Sequence, residues 1–375
     1  MDTVDVCIIG GGMAGASVAF HLAPHASVTV LEREPHVGYH STGRSAALYA
    51  PNYCSSLVQR LTLAGQPFLT TPPPGFTTTP LLHDRGYLMI GCTAQRAARG
   101  KYEDEAQAVD LDTRRLTPHE ARELVPVLRP EAMDWALLDP HAWDLDVDSL
   151  LQGFLRGARA HGARVLTARE VTAIERDGAT WHIAGPSFDL RAGIVVNASG
   201  AWADELAGRA GVAPLGLVPH RRTAFMFDAP ENIVVANWPM VADADEQFYF
   251  KPDAARLLGS LGEEVPSPPV DAQPEDLDVA IAVDRIEQVI DFPVRRVLRS
   301  WTGLRVFAPD RDPVSGFEPG MPGFYWHAGL GGVGIQTAAA LGPFAAAMIL
   351  GHRPPTAISE RHVGPAQLAP ERLRR

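Results

Sequence analysis

The sequence predicts an α/β fold in which a Rossmann-like parallel sheet with helices is interleaved with a second, mostly antiparallel sheet. Three observations carry this. The first 34 residues read as strand, helix, strand: Val4 to Ile9 is β-branched, Met13 to Leu22 is small and helical, and Val28 to Leu31 is apolar throughout. Strands apolar on both faces suit a parallel sheet covered by helices. A second α/β stretch opens at Asp148, read as a helix N-cap. It places Leu150, Leu151, Phe154, Leu155 and Ala158 at helical spacing and stops at Gly162. Strand-like runs follow at 164–166, 171–174, 181–183 and 194–196, with a hairpin turn at Asp177-Gly178. Between these stretches lie proline-rich connectors at 70–80 and 264–276, and strand-like runs at Tyr87 to Ile90 and Phe248 to Lys251 that suit another sheet. The expected organisation is a first domain from 1–75, 145–214 and 305–375, interrupted by a second from 76–144 and 215–304.

Composition narrows the function. A chain of 375 residues buries a sizeable core, and a net charge of -11 with no Lys/Arg-rich run argues against nucleic acid or an anionic membrane as partner. Cys7, Cys54 and Cys92 are too scattered for a disulfide framework or a zinc site. The opening Met-Asp-Thr-Val-Asp is acidic where an export signal is basic, so a cytoplasmic location is expected and the Asn197-Ala-Ser sequon is not read as an acceptor. Residues 328–351 carry no formal charge over a length that would span a bilayer. Gln336, Pro343 and a glycine-rich first third favour a buried core helix introduced by a glycine loop, and no transmembrane segment is expected.

Gly10, Gly12 and Gly15 stand in GxGxxG spacing between the first strand and its helix. The first permits a tight turn, the second lets the amides around Met13 and Ala14 approach a pyrophosphate, and the third lets helix pack on sheet. Glu32, about 20 residues on and beside Arg33, suits the two ribose hydroxyls of an adenosine. Further pieces favour FAD over NAD, because a flavin ring needs its own cradle. The polar loop 40–47 offers Ser41, Thr42, Gly43, Arg44, Ser45 and Ala47. Val171 and the small-residue turn carrying Gly200 and Trp202 permit close approach. In 328–342, Gly331, Gly332 and Gly334 strip the backbone where a ring can lie. A helix beginning near Ile335, with Val333 and Gln336 beside it, would aim its N-terminal dipole at the edge that becomes anionic on reduction.

These pieces, in this order, resemble the D-amino-acid oxidase family of FAD-dependent enzymes. The most specific match is Trp-x-Gly-x-Arg-x-x-x-Pro-Asp-x-x-Pro-x-x-Gly, present as "WTGLRVFAPDRDPVSG" at 301–316. "GYHSTGRSAALYAPNY", "RRTAFMF", "FYFKPD" and "GGVGIQT" bring the resemblance closer to the bacterial D-arginine dehydrogenase branch. The resemblance implies that Arg222 and Arg305 hold the substrate carboxylate, with Tyr249 donating to it, Tyr53 as a mobile tyrosine near the amine, and Gly332 and Gln336 at the flavin and substrate end. It also implies oxidative deamination of a D-amino acid by hydride transfer from Cα to flavin N5, with oxygen, a quinone or another acceptor taking the electrons. Oxidation of glycine, sarcosine, proline or another secondary amine is the alternative, and a non-catalytic flavin-binding subunit is a minor one. No cysteine precedes Gly329 where sarcosine oxidases attach FAD, so non-covalent FAD is expected. Two departures matter: Tyr87 stands where D-arginine-preferring members carry an acid, and Leu48 where they carry a histidine. A strong preference for D-arginine is therefore not expected, and with Met240 near them these residues point to apolar or aromatic D-amino acids. Asp243 either restores an acid nearby or is a merely solvated residue of an acidic loop.

Overall fold

The computed structural model describes residues 2–374. In its first sheet the strand Asp2–Ile9 is central, paired in parallel with Val28–Leu31 on one side and Phe188–Asn197 on the other. Arg164–Leu166 and Phe324–Ala328 extend the parallel order outward. Helix Met13–Leu22 covers this layer and meets helices Val147–Ala160 and Ala338–Ile349. The close contacts depend on small residues: a Cβ on Gly342 would sit 2.8 Å from the Ser17 side chain. An antiparallel hairpin, Ala173–Asp177 and Thr180–Gly185, flanks the sheet and turns through Gly178 as the sequence predicts.

Some local expectations are corrected. The N-cap of helix Val147–Ala160 is Asp146, whose carboxylate accepts from Ser149 N at 2.9 Å; Asp148 lies in the first turn. The 171–174 run becomes strand only at Ala173. The last long helix begins at Ala338 and not near Ile335, because 332–337 run as successive turns, with Thr337 N bonded to Val333 O. That helix is buried, and among the described residues no helix is long and apolar enough to cross a membrane. Asn197 is buried and donates to Ala203 O at 2.8 Å, so its sequon is closed.

The second sheet is built on the strand Val218–Asp228, antiparallel to Val297–Phe307 on one side and Arg256–Ser260 on the other. It continues through Tyr249–Asp253, Met240–Asp243, Tyr87–Gly91 and Trp135–Asp139, all antiparallel except the pair Met240–Asp243 with Tyr87–Gly91. Strand alternation gives the two faces different work. Phe225, Phe227 and Phe250 pack into a core with Ile286 from helix Asp276–Val289. Ala224, Met226 and Tyr249 turn the other way and meet Ala46 and Leu48. A three-stranded sheet of Leu48–Tyr49, Trp143–Leu145 and Leu82–Asp84 is locked to the second sheet by Asp144, which takes Lys251 Nζ and Arg85 Nη2 at 2.5 Å each. Leu330–Gly331 pairs with Val306 and Phe307, so the glycine loop is stitched to the same sheet as the two conspicuous arginines.

Candidate active site

One elongated cavity runs from the C-terminal ends of the parallel strands to the second face of the other sheet. At its first end the wall is backbone. Gly10 has φ +114°, and a Cβ on Gly15 would lie 2.0 Å from Gly10 O, so helix and turn meet at a distance only glycine permits. Helix Met13–Leu22 has Gly12 as its N-cap, which offers no side chain; Met13 N donates to Thr42 Oγ1 at 3.1 Å, and the amides that follow it in the first turn are left for an anion. Glu32 is held by two amides, Gly11 N at 2.8 Å and Glu34 N at 2.9 Å, which fixes its carboxylate on the wall. Arg33 lies over the Trp202 ring at 4.0 Å, and both line the cavity with Val171 and Gly200. A helix N-terminus with first-turn amides still free, and a pinned carboxylate beyond it, suits a pyrophosphate and an adenosine ribose.

The loop 40–47 bridges the two ends. Ser41, Thr42, Arg44, Ser45 and Ala47 lie on the wall. Arg44 differs from expectation in one respect: its guanidinium donates to Thr302 O and Ala272 O and pairs with Asp271 at 2.5 Å, so it ties the loop to the second sheet instead of pointing free donors at a phosphate. Ser41 likewise donates to Leu304 O at 2.7 Å.

At the other end the wall is made of side chains. Arg222 stands opposite Gly303 and Arg305 opposite His220 on the paired strands, so the two arginines are diagonal neighbours on one face. Both line the cavity with Tyr249, Tyr53, Tyr87 and Leu48. Arg222 is 7% exposed; its Nε donates to Glu263 O at 2.8 Å, and Nη2 lies 3.5 Å from Glu264. Burial alone would discourage charge on Arg305, but the phenols of Tyr53 and Tyr249 and the Glu246 carboxylate more than offset it and hold the guanidinium cationic. Gly332 is bare for that arginine: a Cβ there would lie 2.9 Å from the Arg305 guanidinium. Tyr53 accepts from Arg305 and donates to Glu246, both at 3.4 Å, and burial pushes its hydroxyl up to about 12.

Several sequence-predicted residues stand apart from this wall. Gly15 lies beneath Gly10, Gly43 packs over Gly38 O, and Val333 is buried in the core; none lines the cavity, whereas Ala14, Gly331, Gly334 and Ile335 do. Gln336 reaches the wall, but its amide is spent on Ala50 N, Ala50 O and Thr62 Oγ1, so it is a strut under the loop and has no side-chain donor left for a substrate. Asp243 is turned away: it accepts from Gln95, Asp245 N and Gln247 N and is absent from the wall. The acid at this end is Glu246, three residues on, at φ +56°. Sequence reasoning also missed Tyr102, which stacks on Tyr87, and His327, whose Nδ1 meets Ser315 Oγ at 3.0 Å while burial pushes the ring down to about 4. A lone tyrosine in the charged run Lys101–Glu105 was the only available signal for the first. Among the described residues no cluster suits a metal.

With this geometry in hand, the chain matches the model of the DAO family, described as FAD dependent oxidoreductase, over residues 5–348. It is similar to mitochondrial dimethylglycine dehydrogenase of Mus musculus, 24% identical over 94% of this chain and 43% of that protein, so it spans less than half the length of that relative. Among solved structures it is similar to L-alpha-glycerophosphate oxidase from Mycoplasma pneumoniae with FAD bound (17% identity, TM-score 0.84, 93% of this chain and 95% of that one). It is also similar to glycine oxidase from Geobacillus kaustophilus (24% identity, TM-score 0.83, 94% and 96%). The chain belongs to the DAO family of FAD-dependent oxidoreductases, and its cofactor is FAD.

Proposed function

We propose that the chain oxidises D-amino acids to imino acids, which water converts to 2-keto acids and ammonia, using non-covalently held FAD. The observation that carries this is the pair Arg222 and Arg305, diagonal on adjacent strands and facing the glycine backbone at 332. Two guanidiniums on one face grip a carboxylate with directional, charge-assisted hydrogen bonds, and Tyr249, on the same wall and within the field of Arg305, adds a third donor. The bound FAD supplies a hydride acceptor at N5. The chain's own work is positioning: it fixes the carboxylate so that Cα has one orientation, against a wall that Tyr53, Leu48 and Met240 help to line. Tyr53 stays protonated through the neutral range and donates to Glu246, so a substrate amine arriving near them meets an acceptor carboxylate.

Glycine oxidase and dimethylglycine dehydrogenase among the similar proteins keep a second reading open, oxidation of glycine or a secondary amine. The apolar and aromatic lining that Tyr87, Met240 and Phe248 add to the cavity favours a substrate with a side chain. Anaerobic mixing of the yellow protein with D- and L-amino acids, glycine and sarcosine separates the readings. Bleaching of the flavin by D-isomers supports the first, fastest bleaching by glycine or sarcosine the second, and bleaching by none removes both.

A further inference from the structure

Beyond the arginine pair the cavity ends in a wall whose construction bears on which side chain it accepts. Tyr87, on the strand Tyr87–Gly91, stacks on Tyr102 with ring centroids 5.7 Å apart and planes 13° from parallel. Tyr102 comes from helix Arg96–Gln107, in which only Ala106 is fully buried, and packs with Ala98 of the same helix against the second sheet. Besides the stack, two hydrogen bonds fix its position. The hydroxyl donates to Asp139 Oδ2 at 2.8 Å, and Asp139 is fully buried directly across the strand pair from Tyr87. The carbonyl of Tyr102 accepts from Asn52 Nδ2 at 3.0 Å, and Asn52 in turn accepts from Gln59. Tyr102 thereby joins the side-chain wall to the segment that carries Tyr53.

We infer that Tyr102 is a specificity-determining residue: its stack with Tyr87 forms a rigid aromatic wall that receives a flat aromatic substrate side chain and disfavours a cationic one. The inference rests on the amino-acid reading given above. Aromatic rings meet in offset or edge-to-face contact, and a wall already immobilised by stacking and by Asp139 loses little freedom on receiving a third ring. Leu48, Met240, Ala242 and Phe248 complete an apolar lining. A guanidinium or ammonium placed there would need a buried counter-charge. Asp139 cannot serve: it lies behind the rings, both its oxygens are occupied by Tyr102 and His141 N, and burial discourages its ionisation. Glu246 acts on Tyr87 as well as on Tyr53 and Arg305, but its charge is already matched by the Arg305 guanidinium and it accepts from the Tyr53 hydroxyl.

The test is a comparison of kcat/KM for D-phenylalanine, D-alanine and D-lysine in the FAD-loaded protein and in Tyr102→Ala, Tyr102→Leu and Tyr102→Phe. The wild type should prefer D-phenylalanine to D-lysine by about tenfold or more. Tyr102→Ala and Tyr102→Leu should each lower the D-phenylalanine to D-alanine ratio about three- to tenfold, and Tyr102→Phe should restore most of it, since the ring remains. Should Tyr102→Ala not fold, Tyr102→Leu carries the comparison. Preference for D-lysine, or an equal loss on D-phenylalanine and D-alanine, overturns the inference while leaving amino-acid oxidation standing. Failure of every amino acid to reduce the flavin overturns the functional reading instead.

Discussion

The two ends of the cavity are built from different materials. The nucleotide end is backbone: Gly10, Gly12 and Gly15, the first-turn amides that follow Met13, and a carboxylate, Glu32, pinned by two further amides. The substrate end is side chain: two guanidiniums, four tyrosines and Glu246, borne on different strands, a helix and loops. Backbone donors are already ordered by the fold and cost nothing further to present, but they tolerate no added atom. Side-chain donors can be exchanged one at a time, so this end can change its substrate without rebuilding the sheet.

That contrast can be broken or sharpened at several points. The largest effect is expected from Gly15→Ala, whose new methyl would meet Gly10 O, a backbone atom that cannot swing aside. FAD affinity should fall on the order of 100-fold, read as lost 450 nm absorbance per protein. Retention of full flavin would show the nucleotide end to be softer than drawn. Arg305→Ala should leave flavin content intact and lower kcat/KM about 10- to 100-fold, chiefly through KM, as expected for loss of charged hydrogen bonds.

His327 sits between the ends, 1% exposed, with its Nε2 unpartnered in the protein. Its native pKa is pushed down to about 4, below the ordinary 6.5, so between those values the unfolded chain binds the extra proton. Stability is therefore full above pH 6.5 and is lost as pH falls toward 4; the contribution between pH 7.5 and 5 is about 2 kcal/mol. Denaturant unfolding of His327→Val at the two pH values should show that increment gone, and an unchanged pH dependence would assign the acid sensitivity elsewhere. The smallest effect belongs to Tyr53→Phe. Its two hydrogen bonds are long, and their loss should lower kcat/KM only about two- to fivefold. Because the Tyr53 hydroxyl holds its proton to about 12, any break in the pH profile below pH 10 should survive the substitution.

The same contrast explains what the sequence disclosed. A backbone-built site leaves a contiguous trace, since GxGxxG and an acid about 20 residues on occupy one strand-helix-strand unit. Arg222 and Arg305 were reachable only through the resemblance, carried by "RRTAFMF" for the first and by Trp301 to Gly316 for the second; no local pattern says that residues 83 positions apart will be diagonal neighbours. Tyr102 was invisible because its value depends on the register that sets Tyr87 against Asp139, and register is a tertiary property. Glu246 was not singled out, and Asp243, read either as an acid for the pocket or as a solvated loop residue, closes the loop with Asp245 N and Gln247 N, which leaves Glu246 in a left-handed conformation on the cavity wall. The Asp148 error has the same scale, two acids two residues apart competing for one cap.

The central claim is that Arg222 and Arg305 together hold a carboxylate against the flavin end of the cavity. It is tested most directly by titrating the oxidised yellow protein with benzoate, which has the carboxylate and a ring but no amine to oxidise, and with benzamide as its neutral counterpart. The account predicts that benzoate perturbs the visible flavin band, that its Kd rises tenfold or more in Arg305→Ala, about the loss expected for a charged hydrogen-bond pair, and that benzamide binds far more weakly to both. Equal binding of benzoate and benzamide, or a benzoate Kd unmoved by the loss of Arg305, would contradict it.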